Sequence, residues 1–95
     1  LACTFVVMTS DGYPGNYEIG AEITGINQAS KHGLVVHAGT SMQSDGSLIT
    51  DGGRVLGVVG SGETIRDSLA AAYAGVGKIA FRGARYRRDI GERAV

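Results

Sequence analysis

Ninety-five residues give room for one domain with a modest core, and 43% apolar against 19% charged residues exclude a disordered chain. Nine basic and nine acidic residues cancel overall, yet residues 78–93 hold six of the basic ones (Lys78, Arg82, Arg85, Arg87, Arg88, Arg93) against Asp89 and Glu92 alone. Only Phe81 and Tyr86 interleave that basic tail, too few aromatics for a nucleic-acid module, so no nucleic-acid partner is expected.

In chain order, Thr4-Phe5-Val6-Val7-Met8-Thr9 is β-branched and aromatic and predicts a strand buried on both faces. Cys3, the sole cysteine, excludes an internal disulfide or a cysteine-rich zinc site and reads as a small buried hydrophobe. A chain that opens inside such a run, with no methionine, reads as a piece of a longer protein. The only proline, Pro14, lies in a cluster of turn formers at residues 10–16. Residues 18–24 alternate polar and apolar, predicting a half-buried extended segment, and 27–32 predict a turn or a single helical turn. Residues 34–40 predict the next strand. Asp45-Gly46 marks a hairpin, and Leu48-Ile49-Thr50 leads through Asp51-Gly52-Gly53-Arg54 into a strand at 55–59. The period then changes: Ile65, Leu69, Ala72, Val76 and Ile79 form one apolar stripe on a helix, capped by Thr64 with Asp67 three residues on. Gly75 and Gly77 weaken its last turn. Ile79-Ala80-Phe81 predicts a short strand before the tail. No apolar run has membrane length and no signal peptide is visible, so no membrane partner is expected and the cytoplasm is the default compartment.

The Gly52-Gly53-Arg54 turn combines a permissive backbone with a planar fork of donors suited to carboxylate or phosphate. Taken alone, a hairpin turn with a solvent-facing arginine is the simpler reading. Asp11-Gly12-Tyr13-Pro14-Gly15 serves equally as a lid or ligand loop or as a plain turn. His37 in an apolar strand reads as a buried, hydrogen-bonded histidine, and His32 with His37 lacks a third metal ligand. The glycines from Gly57 to Gly62 resemble a phosphate loop, but the dinucleotide spacing and the P-loop Lys-Ser/Thr pair are missing, which leaves a loop needing glycine for close packing. Arg85, Arg87 and Arg88 read as surface charges or as an edge against a neighbouring domain. No acid–base pair, nucleophile–base pair or metal constellation emerges, so no catalytic or metal-binding residue is assigned.

In order, Gly12-Tyr13-Pro14-Gly15, Gly20-Ala21-Glu22-Ile23-Thr24-Gly25, His37-Ala38-Gly39-Thr40, Thr50-Asp51-Gly52-Gly53-Arg54-Val55-Leu56-Gly57-Val58 and Tyr86-Arg87-Arg88-Asp89-Ile90-Gly91 resemble the C-terminal domain of glycinamide ribonucleotide synthetases, also called phosphoribosylamine–glycine ligases. The resemblance implies an ATP-grasp ligase of purine synthesis. That family joins 5-phosphoribosylamine to glycine with ATP and magnesium, through an enzyme-bound glycyl phosphate. It implies residues 1–95 as a single α+β, mainly β domain: a small antiparallel barrel-sandwich-like unit with one C-terminal amphipathic helix, related to the biotin carboxylase C-terminal domain. It further implies that ATP and magnesium are held by other domains of the ligase, which are the expected partners, and that the fragment alone is inactive. Gly52, Gly53 and Arg54 carry over as a contact to the ribotide phosphate or the cleft wall, with Gly12, Tyr13 and Pro14 as a further substrate-facing loop. The competing reading is a structural docking domain whose Arg54 makes a salt bridge. A biotin- or lipoyl-carrier reading fails because the Asp45-Gly46 turn has no lysine, Lys31 and Lys78 lying elsewhere. Stand-alone and fused parent enzymes fit equally.

Overall fold

The computed structural model describes residues 1–13 and 15–88; the site candidate Pro14, and the basic tail and last motif from Asp89 onward, lie outside the described residues. In chain order the elements are β1 (Ala2–Ser10), α1 (Ile26–Ala29), β2 (Leu34–His37), β3 (Thr40–Met42), β4 (Leu48–Thr50), β5 (Arg54–Gly62), α2 (Ile65–Val76) and β6 (Ala84–Tyr86). The β-branched strands β1 and β5 pair antiparallel along their whole length, from Ala2 opposite Gly62 to Thr9 opposite Arg54. They form the centre of a four-stranded sheet of order β2-β5-β1-β6, while β3 and β4 make a separate two-stranded ribbon. Every pairing is antiparallel. The described residues are therefore mainly β, with one three-turn helix and one single-turn helix among them, in line with the expected α+β class.

Helix α2 begins where Thr64 Oγ1 accepts the Asp67 amide at 3.1 Å, the predicted cap. It lies on the sheet face that carries Val6, Met8, Leu56 and Val58, and Ala72 and Val76 complete a core in which all six are at most 1% exposed. Each of the larger side chains contributes about 1.5–3 kcal/mol by leaving water. The contact is close because small residues meet across it. A Cβ on Gly75 would come within 2.7 Å of Val58 Cγ1, and one on Gly62 would come within 2.5 Å of Asp67 Cβ. Thr4 Oγ1 and Ser68 Oγ meet at 2.6 Å, and Ser68 in turn donates to Ile65 O at 2.7 Å, so both hydroxyls are satisfied under the helix.

Several expectations are corrected. β1 is buried on one face only, because α2 covers a single side and Phe5 stays 48% exposed. The buried helical face is Ser68, Ala72, Gly75 and Val76; Ile65 lies outside it, and the helix closes at Gly77, before Ile79. Gly75 thus serves the packing instead of merely weakening the last turn. Residues 18–24 are extended but bridge singly, Glu22 to Ile49 and Thr24 to Ala80. Ile79-Ala80-Phe81 forms only that bridge, and the last strand among the described residues is β6, within the tail. The glycines from Gly57 to Gly62 are part of β5, so close packing is their role but the segment is strand, not loop. Cys3 is exposed.

The Asp45-Gly46 turn forms as expected, with Gly46 at φ 89° and the Gln43 amide donating to neither strand but the Ser47 carbonyl at 2.8 Å. The Ser47 amide and hydroxyl both donate to Asp45 Oδ1, which holds that carboxyl below its ordinary range. A carboxyl whose folded pKa is depressed stabilises the fold above its unfolded pKa and loses that contribution as pH falls through the folded value. Carboxyl NMR titration should therefore find Asp45 titrating at lower pH in the native chain than in the Ser47→Ala variant. Coincident titration curves would remove the Ser47 hydroxyl as a cause.

Candidate functional site

The predicted turn at 50–54 is not a hairpin. β4 pairs with β3 whereas β5 pairs with β1 and β2, so the turn carries the chain from one sheet to the other. Neither Gly52 nor Gly53 takes positive φ. At Gly53 a ring comes too close for a side chain, while Gly52 is only in ordinary contact with neighbouring backbone. A Cβ on Gly52 would lie 3.4 Å from Gly39 Cα, and one on Gly53 would lie 2.8 Å from Tyr13 Cγ and nearer still to the ring edge. The Gly53 carbonyl accepts the Ser10 amide at 2.8 Å, and Gly52 O accepts Ser10 Oγ at 3.4 Å.

Separate stretches of the sequence therefore meet at one place. Thr50, 1% exposed, exchanges backbone hydrogen bonds with Gly20 and Ala21, and its hydroxyl accepts the Ala21 amide at 3.0 Å. Asp51 N donates to Gly39 O at 2.7 Å, and its carboxylate accepts Ser41 Oγ at 2.5 Å. The two predicted site segments are thus in direct contact, with the Tyr13 ring on the Gly53 backbone. Gly12, at φ 95°, turns the chain that presents this ring, and Tyr17 braces it edge-on with ring centroids 5.9 Å apart.

Arg54 follows as the first residue of β5 and is exposed. Among the described residues it makes no ion pair. Thr9 lies opposite both Arg54 on β5 and Arg85 on β6, so the two arginines stand on one cross-strand row of the sheet face turned away from α2. At the usual strand spacing their Cα atoms are roughly 10 Å apart. Arg85 is tied to Asp11 at 3.1 Å, and Arg82 to Glu18 at 3.3 Å. These pairs border an open cleft of about 450 Å³ lined by Ser10, Asp11, Asn16, Tyr17, Glu18, Arg82 and Gly83. Both pairs are solvent-exposed and hold the rim's geometry more than its stability. Sequence reasoning placed Asp11 in the candidate ligand loop but did not assign Tyr17, Glu18 or Arg82 to a site; Glu18 and Arg82 are partners distant in sequence, and no local pattern marks them.

The other candidates fall differently. His37 is exposed and shares a hydrogen bond of 3.1 Å with Thr40 Oγ1, since β2 is an edge strand without cover; the expected buried histidine is corrected. Arg85, Arg87 and Arg88 are exposed, as predicted, and Arg88 stands over the Tyr86 ring at 5.2 Å. Among the described residues no three His, Cys, Asp or Glu side chains cluster as metal ligands, and no helix is long and apolar enough to cross a membrane.

The fold and site define a class: a small antiparallel β domain with a single covering helix, one exposed arginine on a glycine-supported turn, and no catalytic constellation among the described residues. The chain belongs to the family described as phosphoribosylglycinamide synthetase, C domain, whose model matches residues 3–93. It is 53% identical over 93 residues to the phosphoribosylamine–glycine ligase of Nostoc sp. strain PCC 7120, covering 97% of this chain and 22% of that one. It is 48% identical over 91 residues to the trifunctional purine biosynthetic protein adenosine-3 of Homo sapiens, covering 95% of this chain and 9% of that protein. A crystal structure of the Thermotoga maritima phosphoribosylamine–glycine ligase superposes with a TM-score of 0.81 at 41% identity, covering 92% of this chain and 21% of that chain. The chain thus spans about a fifth of the length of the ligases it matches, and less of the trifunctional relative.

Proposed function

We propose that the chain is the C-terminal domain of a cytoplasmic phosphoribosylamine–glycine ligase of the ATP-grasp type, forming one wall of its active site. The reaction is the joining of 5-phosphoribosylamine to glycine with ATP cleaved to ADP and phosphate. Family membership and the relatives' names support this reading. Nucleotide and magnesium are assigned to the other domains of such an enzyme. The wider architecture is read as akin to the biotin carboxylase C-terminal domain, supported by its antiparallel, one-helix plan.

Within the wall, the Gly52-Gly53-Arg54 turn faces the ribotide phosphate and the Tyr13 ring, turned in at Gly12, holds it in place. The observation that carries this is the exposed Arg54 guanidinium, without an ion pair among the described residues, on a strand whose first turn is clamped under Tyr13. The turn beneath Arg54 is held by its backbone contacts, so binding an anion has only the exposed side chain left to order. Arg54→Ala in the complete ligase is expected to raise KM for phosphoribosylamine roughly 10- to 100-fold, as befits loss of a charge-assisted contact of about 1.5–3 kcal/mol. KM for ATP should stay where it was. An unchanged KM for phosphoribosylamine removes the phosphate role.

A further inference from the structure

The row of Arg54, Thr9 and Arg85 owes its existence to an irregularity in the β1–β5 ladder. Register shifts between Met8 and Thr9, so Met8 faces Leu56 but Thr9 faces Arg54. Across that bulge β5 turns both Val55 and Leu56 into the core, each at most 1% exposed, and Arg54 comes out on the face opposite α2. Arg85 reaches the same face from β6, as the other register partner of Thr9. Side chains of register partners stand side by side, so the two guanidiniums rise on either side of the half-buried Thr9, whose hydroxyl can donate between them.

The two arginines differ in what holds them. Arg54 has no ion pair among the described residues. Arg85 is paired with Asp11 at 3.1 Å, and the sheet itself makes that pair. The Asp11 amide donates to Gly83 O at 2.8 Å, which carries the β1–β6 ladder one step beyond Ser10 and Ala84. Asp11 is thereby the diagonal neighbour of Arg85 on the same face. Both side chains stay mostly exposed, at 68% and 63%, so the attachment is weak and open to exchange.

We infer that Arg85 is the second cation of the ribotide phosphate site, and that Asp11 is an internal anion from which the substrate phosphate takes it. The inference deepens the phosphate reading of Arg54 and rests on it. A phosphate monoester carries up to about two negative charges and three acceptor oxygens, more than one guanidinium can neutralise or saturate. Arg54, Thr9 and Arg85 supply two positive charges and a hydroxyl donor in a single row. Before substrate binds, Asp11 offsets the repulsion between the two arginines. On binding, Arg85 swings from its diagonal neighbour to the anion across Thr9. Substrate affinity is therefore the new contact less the ion pair given up, and Asp11 weakens binding by its presence. A brace that merely held the fold would act in the opposite sense.

Steady-state kinetics of the complete ligase, with phosphoribosylamine and ATP varied in turn, test this. Arg85→Ala is expected to raise KM for phosphoribosylamine about tenfold and leave KM for ATP where it was. Asp11→Asn should lower KM for phosphoribosylamine about threefold, and that gain should vanish in an Arg85→Ala background. An Asp11→Asn variant whose KM stays put or rises, as loss of a purely structural brace would make it, overturns the inference. So does a rise in KM for ATP alone on Arg85→Ala, which assigns the arginine to the nucleotide. Arg54→Ala, assayed alongside, separates this inference from the reading beneath it. If Arg54→Ala raises KM for phosphoribosylamine and Arg85→Ala does not, the phosphate rests on Arg54 alone and only the second cation fails. If neither variant changes it, the phosphate reading itself fails.

Discussion

Gly60→Ala is expected to destabilise the chain by about 3 kcal/mol, lowering Tm by roughly 10–20 °C. A Cβ at this position would lie 2.9 Å from Ala72 Cα and closer still to Ala72 N and Ser68 O. All three are backbone atoms of α2, and none can swing aside as a side-chain tip does. The helix must retreat from β5 as a body, which strains the 2.6 Å hydrogen bond between Thr4 and Ser68 and loosens Ala72 and Val76 in the core. Gly20→Ala is the control. Gly20 has φ 91° but nothing within 4 Å of its added Cβ, so only the left-handed backbone opposes alanine, at about 1 kcal/mol. Urea unfolding followed by circular dichroism separates the two variants. A Gly60→Ala chain no less stable than Gly20→Ala would show that the helix does not rest on the strand backbone.

The elements legible from sequence are those fixed by neighbours in the chain. The Thr64 cap, the Asp45-Gly46 turn and the existence of strands at the β-branched runs of β1 and β5 depend on residues within a few positions, and those elements form, though β1 is covered on one face and β5 runs on to Gly62. What local pattern cannot supply is which strand pairs with which. Thr50 to Arg54 looks like a hairpin because a glycine turn joins two apolar runs, yet β5 finds its partners at β1 and β2, far along the chain. For the same reason His37 looked buried: Leu34-Val35-Val36 is apolar enough for a central strand, but β2 ends up at an edge with its outer face open. The helical stripe was displaced because glycine and serine, invisible to an apolar count, are what a close helix–sheet contact selects at Ser68 and Gly75.

The candidate site was legible in pieces. Four of the five family-like segments share hydrogen bonds or van der Waals contact around Thr50 to Arg54: Gly20-Ala21 through Thr50, Gly39 through Asp51 and Gly52, and Tyr13 through Gly53. Gly39 and Gly53 follow from that convergence, since a Cβ there would collide with Arg54 O or with the Tyr13 ring. The bordering pairs Arg82–Glu18 and Arg85–Asp11 were hidden because each joins residues more than sixty positions apart.

Tyr13 and Gly53 should behave as a coupled pair in a double-mutant cycle. Gly53 has ordinary backbone angles, so alanine is opposed there only by the Tyr13 ring, 2.8 Å from the added Cβ at Cγ and closer at the ring edge. Gly53→Ala displaces the ring and should destabilise the chain by about 1–2 kcal/mol, whereas the same change in a Tyr13→Ala background should be close to neutral. The coupling energy is then about 1–2 kcal/mol, measured by urea unfolding of the parent, both single variants and the double variant. In the complete ligase the same cycle has a second readout. If the ring clamps the turn that presents Arg54, Gly53→Ala should raise KM for phosphoribosylamine by about tenfold, and Tyr13→Ala should do so without the steric clash. Additive stabilities would dissolve the contact between loop and turn. Coupled stabilities with unchanged KM would keep the contact but detach it from the phosphate, leaving Tyr13 and Gly53 with a purely structural role.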